Sequence, residues 1–211
     1  MEAGRFITFE GGEGCGKSTQ IRLLAERLRA AGKDVLLTRE PGGTALAEKI
    51  RSLVREESCD PPNSRAETLL FIASRAQVVG TVIRPALDSG TWVLCDRFAD
   101  STFAYQGYGR GLDLDELKRI NSFATGGIKP DRTILLNVSP EVSAGRMRAR
   151  EAATNTEADR MEKAGDGFHA RLRQGFLELA AAEPERFAVI QADGSVEEVE
   201  EAVWNSIQPM L

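Results

Sequence analysis

Short apolar runs alternate along this chain with longer stretches in which apolar residues recur at helical spacing. In Lys17–Ala31, for example, Ile21, Leu24 and Leu28 share one helical face, and Gly32 follows as a C-terminal cap. Strands that alternate with helices predict a parallel sheet flanked by helices, and unbroken apolar strands indicate burial on both faces. The five predicted strands are Arg5–Glu10, Asp34–Thr38, Thr91–Cys95, Thr133–Val138 and Phe187–Ile190.

The pattern also predicts where helices are disturbed. Gly80 and Pro85 should disturb the end of a long helix, and the small, polar segment Glu151–Ala158 predicts a mobile loop. Asp113 is a predicted N-cap, and the glycine-rich segment Gly107–Gly111 precedes it. The other predicted helices are Thr44–Val54, Arg65–Leu87, Ser101–Gln106, Asp113–Ala124, Pro140–Arg150, Arg160–Ala182 and Val196–Ile207.

Length and charge limit the classes of protein that fit this sequence. Its 211 residues suit a single α/β domain over residues 1–211. The formal net charge of −5 argues against a nucleic-acid binder. No apolar run approaches the roughly eighteen residues that span a bilayer, and no basic-then-apolar leader precedes the first strand. We therefore expect no membrane attachment and a cytoplasmic location. Cys15, Cys59 and Cys95 form neither a metal-ligand pattern nor a disulfide framework.

The segment Gly11–Ser18 carries the strongest chemical signal. It matches the phosphate-binding pattern G-x-x-x-x-G-K-[ST], directly after a strand and directly before a helix. Its glycines let backbone amides surround phosphate oxygens at the positive end of the helix. Lys17 should reach the β and γ phosphates, and Ser18 should ligate Mg²⁺. The predicted nucleotide-binding residues are Gly11, Gly12, Glu13, Gly14, Cys15, Gly16, Lys17, Ser18 and Thr19.

Among P-loop proteins, the sequence favours a small kinase. The Asp-x-x-Gly and Asn-Lys-x-Asp strings of a GTPase do not occur, and a large motor or transporter ATPase needs a longer chain. A kinase must hold a second anion, for which arginine is well suited. Asp96 and Arg97 follow the third strand at its carboxyl end, where open α/β sheets bind ligands. We expect Asp96 to hold Mg²⁺, directly or through water, and Arg97 to clamp the acceptor phosphate.

Three further segments match a shared set of motifs. They are Thr38–Thr44 (TREPGGT), Leu70–Arg75 (LFIASR) and Asp96–Gly107 (DRFADSTFAYQG). With the phosphate loop, they resemble the thymidylate kinase family in motif and in order, from about Arg5 to the C-terminal helix. The resemblance implies a nucleoside monophosphate kinase-like P-loop fold with a lid, ATP as phosphate donor, dTMP as acceptor and a homodimer.

The resemblance also implies roles for residues around the acceptor base. Phe71 would stack on the thymine ring, while Arg75 and Thr102 would hydrogen-bond the edge of the base. Gln106 would help to hold the base. Tyr105 would pack beside the sugar carbon that lacks a hydroxyl and so disfavour ribonucleotides.

A second group of residues is implied around the sugar and the phosphate of the acceptor. Arg51 would join Arg97 on the acceptor phosphate. Glu13 and Glu40 would lie near the sugar and the metal, with Pro41 beside Glu40 among the acceptor-binding residues.

The sequence points to a lid over residues 146–160. Some thymidylate kinases carry an arginine inside the phosphate loop, where this chain has Gly14, whereas bacterial-type members place the arginine in a lid. Arg150 and Arg160 best match that lid pattern, although Glu151 stands where a glycine is usual and the following loop is longer. The same region also offers Arg146 and Arg148, so the arginine that reaches the γ-phosphate stays open.

The leading hypothesis is a kinase that uses Mg²⁺ and ATP to convert dTMP to dTDP by direct in-line transfer. Lys17, Arg97 and a lid arginine would supply positive charge, with Glu13 beside them. Two alternatives stay open at this point. One is another nucleotide or deoxynucleoside kinase of the same fold. The other is a non-catalytic switch that binds ATP without turnover.

Overall fold

Residues 4–56, 60–154 and 165–211 are described by the structure, a computed structural model. In these ranges five strands form one parallel sheet in the order β2–β3–β1–β4–β5. The strands are β1 Phe6–Glu10, β2 Val35–Arg39, β3 Trp92–Asp96, β4 Arg132–Asn137 and β5 Phe187–Gln191. The predicted α/β fold with a five-stranded parallel sheet is therefore confirmed.

Helices cover both faces of the sheet. Because successive strand residues point to opposite faces, Ile134 of β4 packs into one core cluster and Leu135 into another. A third cluster surrounds Phe6 and Phe98, whose rings meet edge-to-face at 4.8 Å. The α-helices are α1 Lys17–Ala30, α2 Ala45–Arg55, α3 Ser64–Val78, α4 Arg84–Asp88, α5 Ala99–Thr102, α6 Leu114–Thr125, α7 Pro140–Thr154, α8 Asp166–Ala182 and α9 Val196–Ile207.

The two edge strands differ from the prediction of burial on both faces. β1 is buried throughout, but β2 and β5 expose alternate residues, with Leu37 43% and Val189 41% exposed. An edge strand has a neighbour on one side only, and the helices cover it incompletely. Burial on both faces therefore holds only for the apolar residues of the three inner strands.

The long helix after α2 is interrupted where the sequence predicted a disturbance. α3 continues through a π-helical segment, Val79–Ile83, into α4. Gly80 lies in the π-helical segment, and Pro85 lies in the first turn of α4. Segments of this kind add one residue to a helical turn and are often found at functional sites.

The predicted helix Ser101–Gln106 is present, but it is longer than predicted and mostly π-helical. α5 is short, and a π-helix, Phe103–Gly109, follows it directly. The glycine-rich segment is thus partly helical, and its glycines serve close packing. A Cβ atom at Gly107 would lie 2.4 Å from Leu114, and one at Gly109 would lie 2.5 Å from Phe168.

The predicted loop Glu151–Ala158 is wrong at its start, because α7 continues to Thr154. Glu and Ala residues favour helix, so the helix extends through them. Residues 155–158, and Arg160 at the start of the next predicted helix, lie outside the described residues. Gly165 is the N-cap of α8, which begins at Asp166 instead.

Candidate active site

A cavity of about 520 Å³ lies at the carboxyl ends of β1, β2 and β3. It brings together residues that the sequence predicted for the triphosphate and for the acceptor. Gly11 and Gly12 belong to the phosphate loop without lining the cavity, and Arg160 lies outside the described residues. The predicted residues that line it are Glu13, Gly14, Cys15, Gly16, Lys17, Ser18, Thr19, Glu40, Pro41, Arg51, Phe71, Arg75, Asp96, Arg97, Thr102, Tyr105, Gln106 and Arg150.

The phosphate loop joins β1 to α1 in a conformation that requires glycine. Gly11, Gly14 and Gly16 have φ angles of 138°, 67° and 92°, a region that residues with a side chain rarely adopt. Gly16 caps α1, so the loop ends at the positive end of that helix. Lys17 is buried, and its Nζ donates hydrogen bonds to the carbonyl oxygens of Gly11 and Gly12 at 3.2 and 2.9 Å.

Gly14 of the phosphate loop lies against α7. A Cβ atom at Gly14 would lie 2.8 Å from the backbone oxygen of Ser143. The Ser143 hydroxyl also donates to the Glu13 carbonyl at 2.8 Å. A side chain at position 14 would therefore need both a strained backbone and a shift of α7. The loop accommodates no arginine of its own.

Oxygen ligands for a divalent cation meet at the start of α1. Ser18 Oγ lies 3.4 Å from Asp96 Oδ2, which follows β3. A hydroxyl and a carboxylate beside a phosphate loop are ligands that suit Mg²⁺. In the described ranges, no group of three or more His, Cys, Asp or Glu side chains is placed to hold a metal.

Arg97 is held firmly, in an unusual backbone conformation. Its φ of 70° is rare for a residue with a side chain, and such outliers concentrate at functional sites. Its guanidinium donates to Glu13 Oε1 at 2.6 Å, to the Gly11 carbonyl at 2.9 Å and to Ser101 Oγ at 3.2 Å. It also lies 5.1 Å from the centre of the Tyr105 ring. These contacts direct the charge of Arg97 towards the phosphate loop.

Glu13 is a carboxylate surrounded by positive charge. Burial raises its pKa, but Arg97, Lys17 and a hydrogen bond from the Tyr105 hydroxyl outweigh burial and lower the pKa to about 2. Arg150 of α7 contributes in the same direction. Glu13 is therefore ionised at neutral pH. Its negative charge offsets part of the positive charge of Arg97 and Lys17 that two bound phosphates would meet.

Glu10, at the end of β1, was missed by the sequence prediction. Its buried carboxylate accepts hydrogen bonds from Phe98 N at 2.7 Å, Ser101 N at 3.3 Å and Ser101 Oγ at 2.6 Å. Burial and the charge of Asp100 raise the pKa of Glu10 to about 7, although Arg97 and Ser101 act in the opposite direction. Glu10 thus holds the backbone that follows Arg97. The sequence signal that could have revealed Glu10 is its position as an acidic residue within an otherwise apolar strand.

Arg75 organises the acceptor half of the cavity. Glu40 accepts from Arg75 Nε at 2.7 Å, and both side chains are only 3% exposed. Nη1 donates to Thr102 Oγ1 and Asn121 Oδ1, and Nη2 donates to the Phe98 carbonyl. Four of its five N–H groups are therefore engaged by the protein, which leaves one on Nη2 for a ligand.

Burial disfavours the ionised form of Glu40 despite this partner. Burial raises the pKa of Glu40 to about 7, although Arg75 lowers it. Pro41 follows Glu40, and its carbonyl accepts a hydrogen bond of 3.0 Å from Arg51 Nη1. That bond directs Arg51 from α2 into the cavity.

The aromatic residues of the acceptor half differ in burial. Phe71 on α3 is half-buried and lines the cavity. Tyr105 is buried, with ring contacts at 6.1 Å to Phe168 and 6.3 Å to Phe176 of α8. Gln106 Nε2 donates to a buried carboxylate, Glu67, at 2.9 Å, a partner that the sequence prediction also missed.

α7 brings two arginines to the cavity. Arg146 and Arg150 line it, whereas Arg148 does not. Because residues three or four apart share a helical face, the spacing of Arg146 and Arg150 explains their common direction. Of the predicted lid, residues 146–160, the structure therefore describes residues 146–154.

Comparisons with known proteins agree with one another. The family model described as thymidylate kinase matches residues 9–203. The chain is 51% identical to a thymidylate kinase of Synechococcus sp. strain JA-2-3B'a(2-13) over 206 residues, with 98% of this chain and 95% of that protein covered. It is 48% identical to a thymidylate kinase of Geobacter sp. strain M21 over 212 residues, with 98% and 94% covered. The crystal structure of thymidylate kinase from Ehrlichia chaffeensis superposes with a TM-score of 0.77 at 35% identity, with 98% of this chain and 99% of that chain covered.

Proposed function

The chain belongs to the thymidylate kinase family and phosphorylates dTMP to dTDP with ATP, and we propose that it does so by direct in-line transfer across the cavity described above. One observation carries this proposal: the phosphate loop and the arginine-rich acceptor residues line the same cavity. Two phosphates bound there can meet without a covalent enzyme intermediate. The two alternatives raised by the sequence, another nucleotide kinase and a non-catalytic switch, are set aside by membership of the family.

On the donor side, the phosphate loop binds the triphosphate of ATP. The amides of Gly11–Thr19 surround the phosphates at the end of α1, and Lys17 moves from the loop carbonyls to the β and γ phosphates. The burial of Lys17 supports this role, because an ammonium shielded from water interacts more strongly with phosphate.

Ser18 and Asp96 would hold Mg²⁺ beside the loop. Their oxygens lie 3.4 Å apart, and a carboxylate plus a hydroxyl leaves further positions for phosphate oxygens and water. When bound, the ion neutralises charge on the β and γ phosphates.

On the acceptor side, arginines bind the phosphate and an aromatic ring binds the base. Arg97 and Arg51 hold the dTMP phosphate, and Phe71 stacks on thymine, which is worth roughly 1–3 kcal/mol by analogy with other base-stacking sites. Arg75 donates its remaining N–H to the base edge beside Thr102. Tyr105 borders the sugar, and Glu40 with Pro41 completes this wall of the site.

The transfer itself depends on positive charge around the migrating phosphoryl group. Lys17 and Arg97 supply it from the two sides, and Glu13 keeps Arg97 in place between them. An arginine of the lid adds charge from α7, because Gly14 leaves the loop without one. Arg150 is the described candidate; Arg160 lies outside the described residues and stays a sequence prediction.

We infer a homodimer from an exposed apolar face on α2, α3 and α6, which pack beside one another. Phe123 is 92% exposed, and large apolar patches on a protein surface mark interaction sites. A second copy covers this face. Phe123→Asp should then yield a monomer by light scattering at matched concentration. A parent that is monomeric would contradict the inference. The remaining large apolar residues of the face are Leu46, Leu53 and Leu69, each more than half exposed.

We also propose that the enzyme works in the cytoplasm, without nucleic-acid or membrane partners. The net charge of −5 argues against a nucleic-acid partner. In the part of the chain that the structure describes, one helical stretch, Ser64–Asp88, is long and apolar enough to span a bilayer by length and composition, which the sequence prediction overlooked. It carries buried polar residues, Glu67 and Arg75, which bond to the cavity residues Gln106 and Thr102, so we assign it to the core of the fold.

The test is ADP formation from ATP with dTMP, dUMP, dCMP and dGMP as acceptors, with and without a chelator of Mg²⁺. We expect dTMP to give the highest kcat/KM and the chelator to abolish turnover. Lys17→Ala should lower kcat by at least about a hundredfold, whereas the same change at the exposed Lys129 should leave it unaltered. Preference for another acceptor, or turnover without divalent metal, would contradict the proposal.

A further inference from the structure

Glu67 is a buried carboxylate to which neither the motifs nor the proposed reaction gives a role. It lies in the first turn of α3 and is 1% exposed. One oxygen, Oε1, accepts from Gln106 Nε2 at 2.9 Å, and the other, Oε2, pairs with Arg110 Nη2 at 3.4 Å. Burying a carboxylate is costly, so a partner set of this kind calls for an explanation.

The contact determines which end of the Gln106 amide faces the cavity. A carboxylate accepts hydrogen bonds and donates none, so the NH₂ end of the amide must point to Glu67. Asn and Gln amides otherwise have two orientations of similar shape, and the surrounding hydrogen bonds choose between them. The Oε1 atom therefore points away from Glu67.

Gln106 lies beside the residues that face an acceptor base. It is one helical turn after Thr102, which accepts from Arg75, and all three line the cavity. This wall thus offers a donor, the remaining Arg75 N–H, next to an acceptor, the Gln106 oxygen. Thymine and uracil present the complementary pair, the O4 acceptor next to the N3–H donor. Cytosine presents the opposite pair, an amino donor at C4 next to an N3 acceptor.

We propose that Glu67 is a positioning residue for base specificity: it holds the Gln106 amide with its oxygen towards the acceptor base, so that the site accepts bases with an N3–H and rejects cytosine. The proposal rests on the proposed function of the cavity and adds a specificity mechanism to it. A site that leaves a buried polar group unpaired with the wrong substrate discriminates strongly against that substrate.

The experiment compares dUMP with dCMP as acceptors, because both lack the thymine methyl group and differ in the edge of the base. The parent should prefer dUMP in kcat/KM by at least about a hundredfold. Glu67→Gln keeps the size of the side chain but can donate as well as accept, which frees the amide to reverse. Glu67→Met removes the partner altogether. Each should narrow the dUMP/dCMP ratio at least about tenfold, chiefly through KM.

Two controls separate this role from a structural one. Glu26→Gln removes an arginine-paired glutamate on the surface of α1, where Arg22 donates at 2.7 Å, and should leave the ratio within about twofold of the parent. Arg110→Met removes the ion pair between Arg110 and Glu67 but keeps the bond of Glu67 to Gln106, and should also leave the ratio unchanged. A merely structural Glu67 would lower activity with both acceptors alike.

The outcomes distinguish this proposal from the proposed function. A parent that accepts dCMP as readily as dUMP overturns the role of the amide, whether or not either Glu67 variant folds. A folded Glu67 variant with the parent's ratio overturns the role of Glu67 alone. A parent that does not phosphorylate dTMP overturns the proposed function instead.

Discussion

Replacing Arg75 by lysine keeps a positive charge in the acceptor half of the cavity but removes the planar group that organises it. Arg75 is 2% exposed and donates to Glu40, Thr102, Asn121 and the Phe98 carbonyl at 2.7–3.0 Å. These four acceptors belong to different parts of the chain. A lysine carries its three N–H groups on a single nitrogen and cannot reach all of them.

The expected loss of stability follows from the hydrogen bonds of Arg75 that a lysine cannot form. We expect at least two buried acceptors to lose their donor, and each unpaired buried group costs about 1–3 kcal/mol. With some relaxation, Arg75→Lys should lower the free energy of unfolding by about 3 kcal/mol. For a domain of this length, each kcal/mol shifts the unfolding temperature by about 2–4 °C, so we expect a drop of about 6–12 °C.

The assay is thermal unfolding at matched protein concentration, since self-association also shifts the midpoint, together with steady-state kinetics. KM for dTMP should rise at least about tenfold, because the base-facing N–H is lost as well. Arg84→Lys is the matched control: Arg84 lies on the same long helical segment, is exposed and donates to the Thr125 and Gly126 carbonyls. A variant at Arg75 as stable as the control, with an unaltered KM, would refute the reasoning.

Three further predictions concern other residues of the site. Tyr105→Ala should narrow the preference for dTMP over its 2′-hydroxy analogue, while Tyr105→Phe should keep it; equal kcat/KM ratios in all three proteins would count against the sugar contact. Glu13 has a folded pKa of about 2 against an ordinary 4.5, so it adds about 3 kcal/mol of stability above pH 4.5 that is lost as the pH falls towards 2. Denaturant unfolding of the parent and Glu13→Gln should show a gap that shrinks on acidification, and a gap independent of pH would contradict this sign. Asp100 is 1% exposed and accepts from both terminal nitrogens of Arg186 at 2.7 and 2.9 Å, so Asp100→Asn should cost about 3–5 kcal/mol of unfolding free energy; a loss below about 1 kcal/mol would show that the pair contributes little.

The fold was predictable because local signals and global topology agree in this chain. Each inner strand is a short, largely apolar run, and the phosphate loop lies between a strand and a helix, as the motif requires. A parallel sheet brings the motifs that follow its strands to the same edge. The shared cavity of Lys17, Glu40 and Arg97 therefore followed from the order of the motifs along the chain.

The supporting residues could not be predicted in the same way. Glu67 and Gln106 are 39 positions apart, and Glu10 and Phe98 are 88 apart, so neither pair shares a local pattern. Such contacts arise only when elements dock. The helical bounds around Phe103–Gly109 were missed for a related reason: glycine lowers helix propensity locally, whereas its small size permits the close packing that stabilises this helix.

The most direct test of the account is an experimental structure with dTMP and a non-hydrolysable ATP analogue bound together with Mg²⁺. We predict thymine stacked on Phe71, the dTMP phosphate on Arg97, and the γ-phosphate contacted by Lys17 and by an arginine of the 146–160 segment, with the two phosphates in line. An acceptor nucleotide bound outside this cavity, or a γ-phosphate that points away from Arg97, would contradict the account.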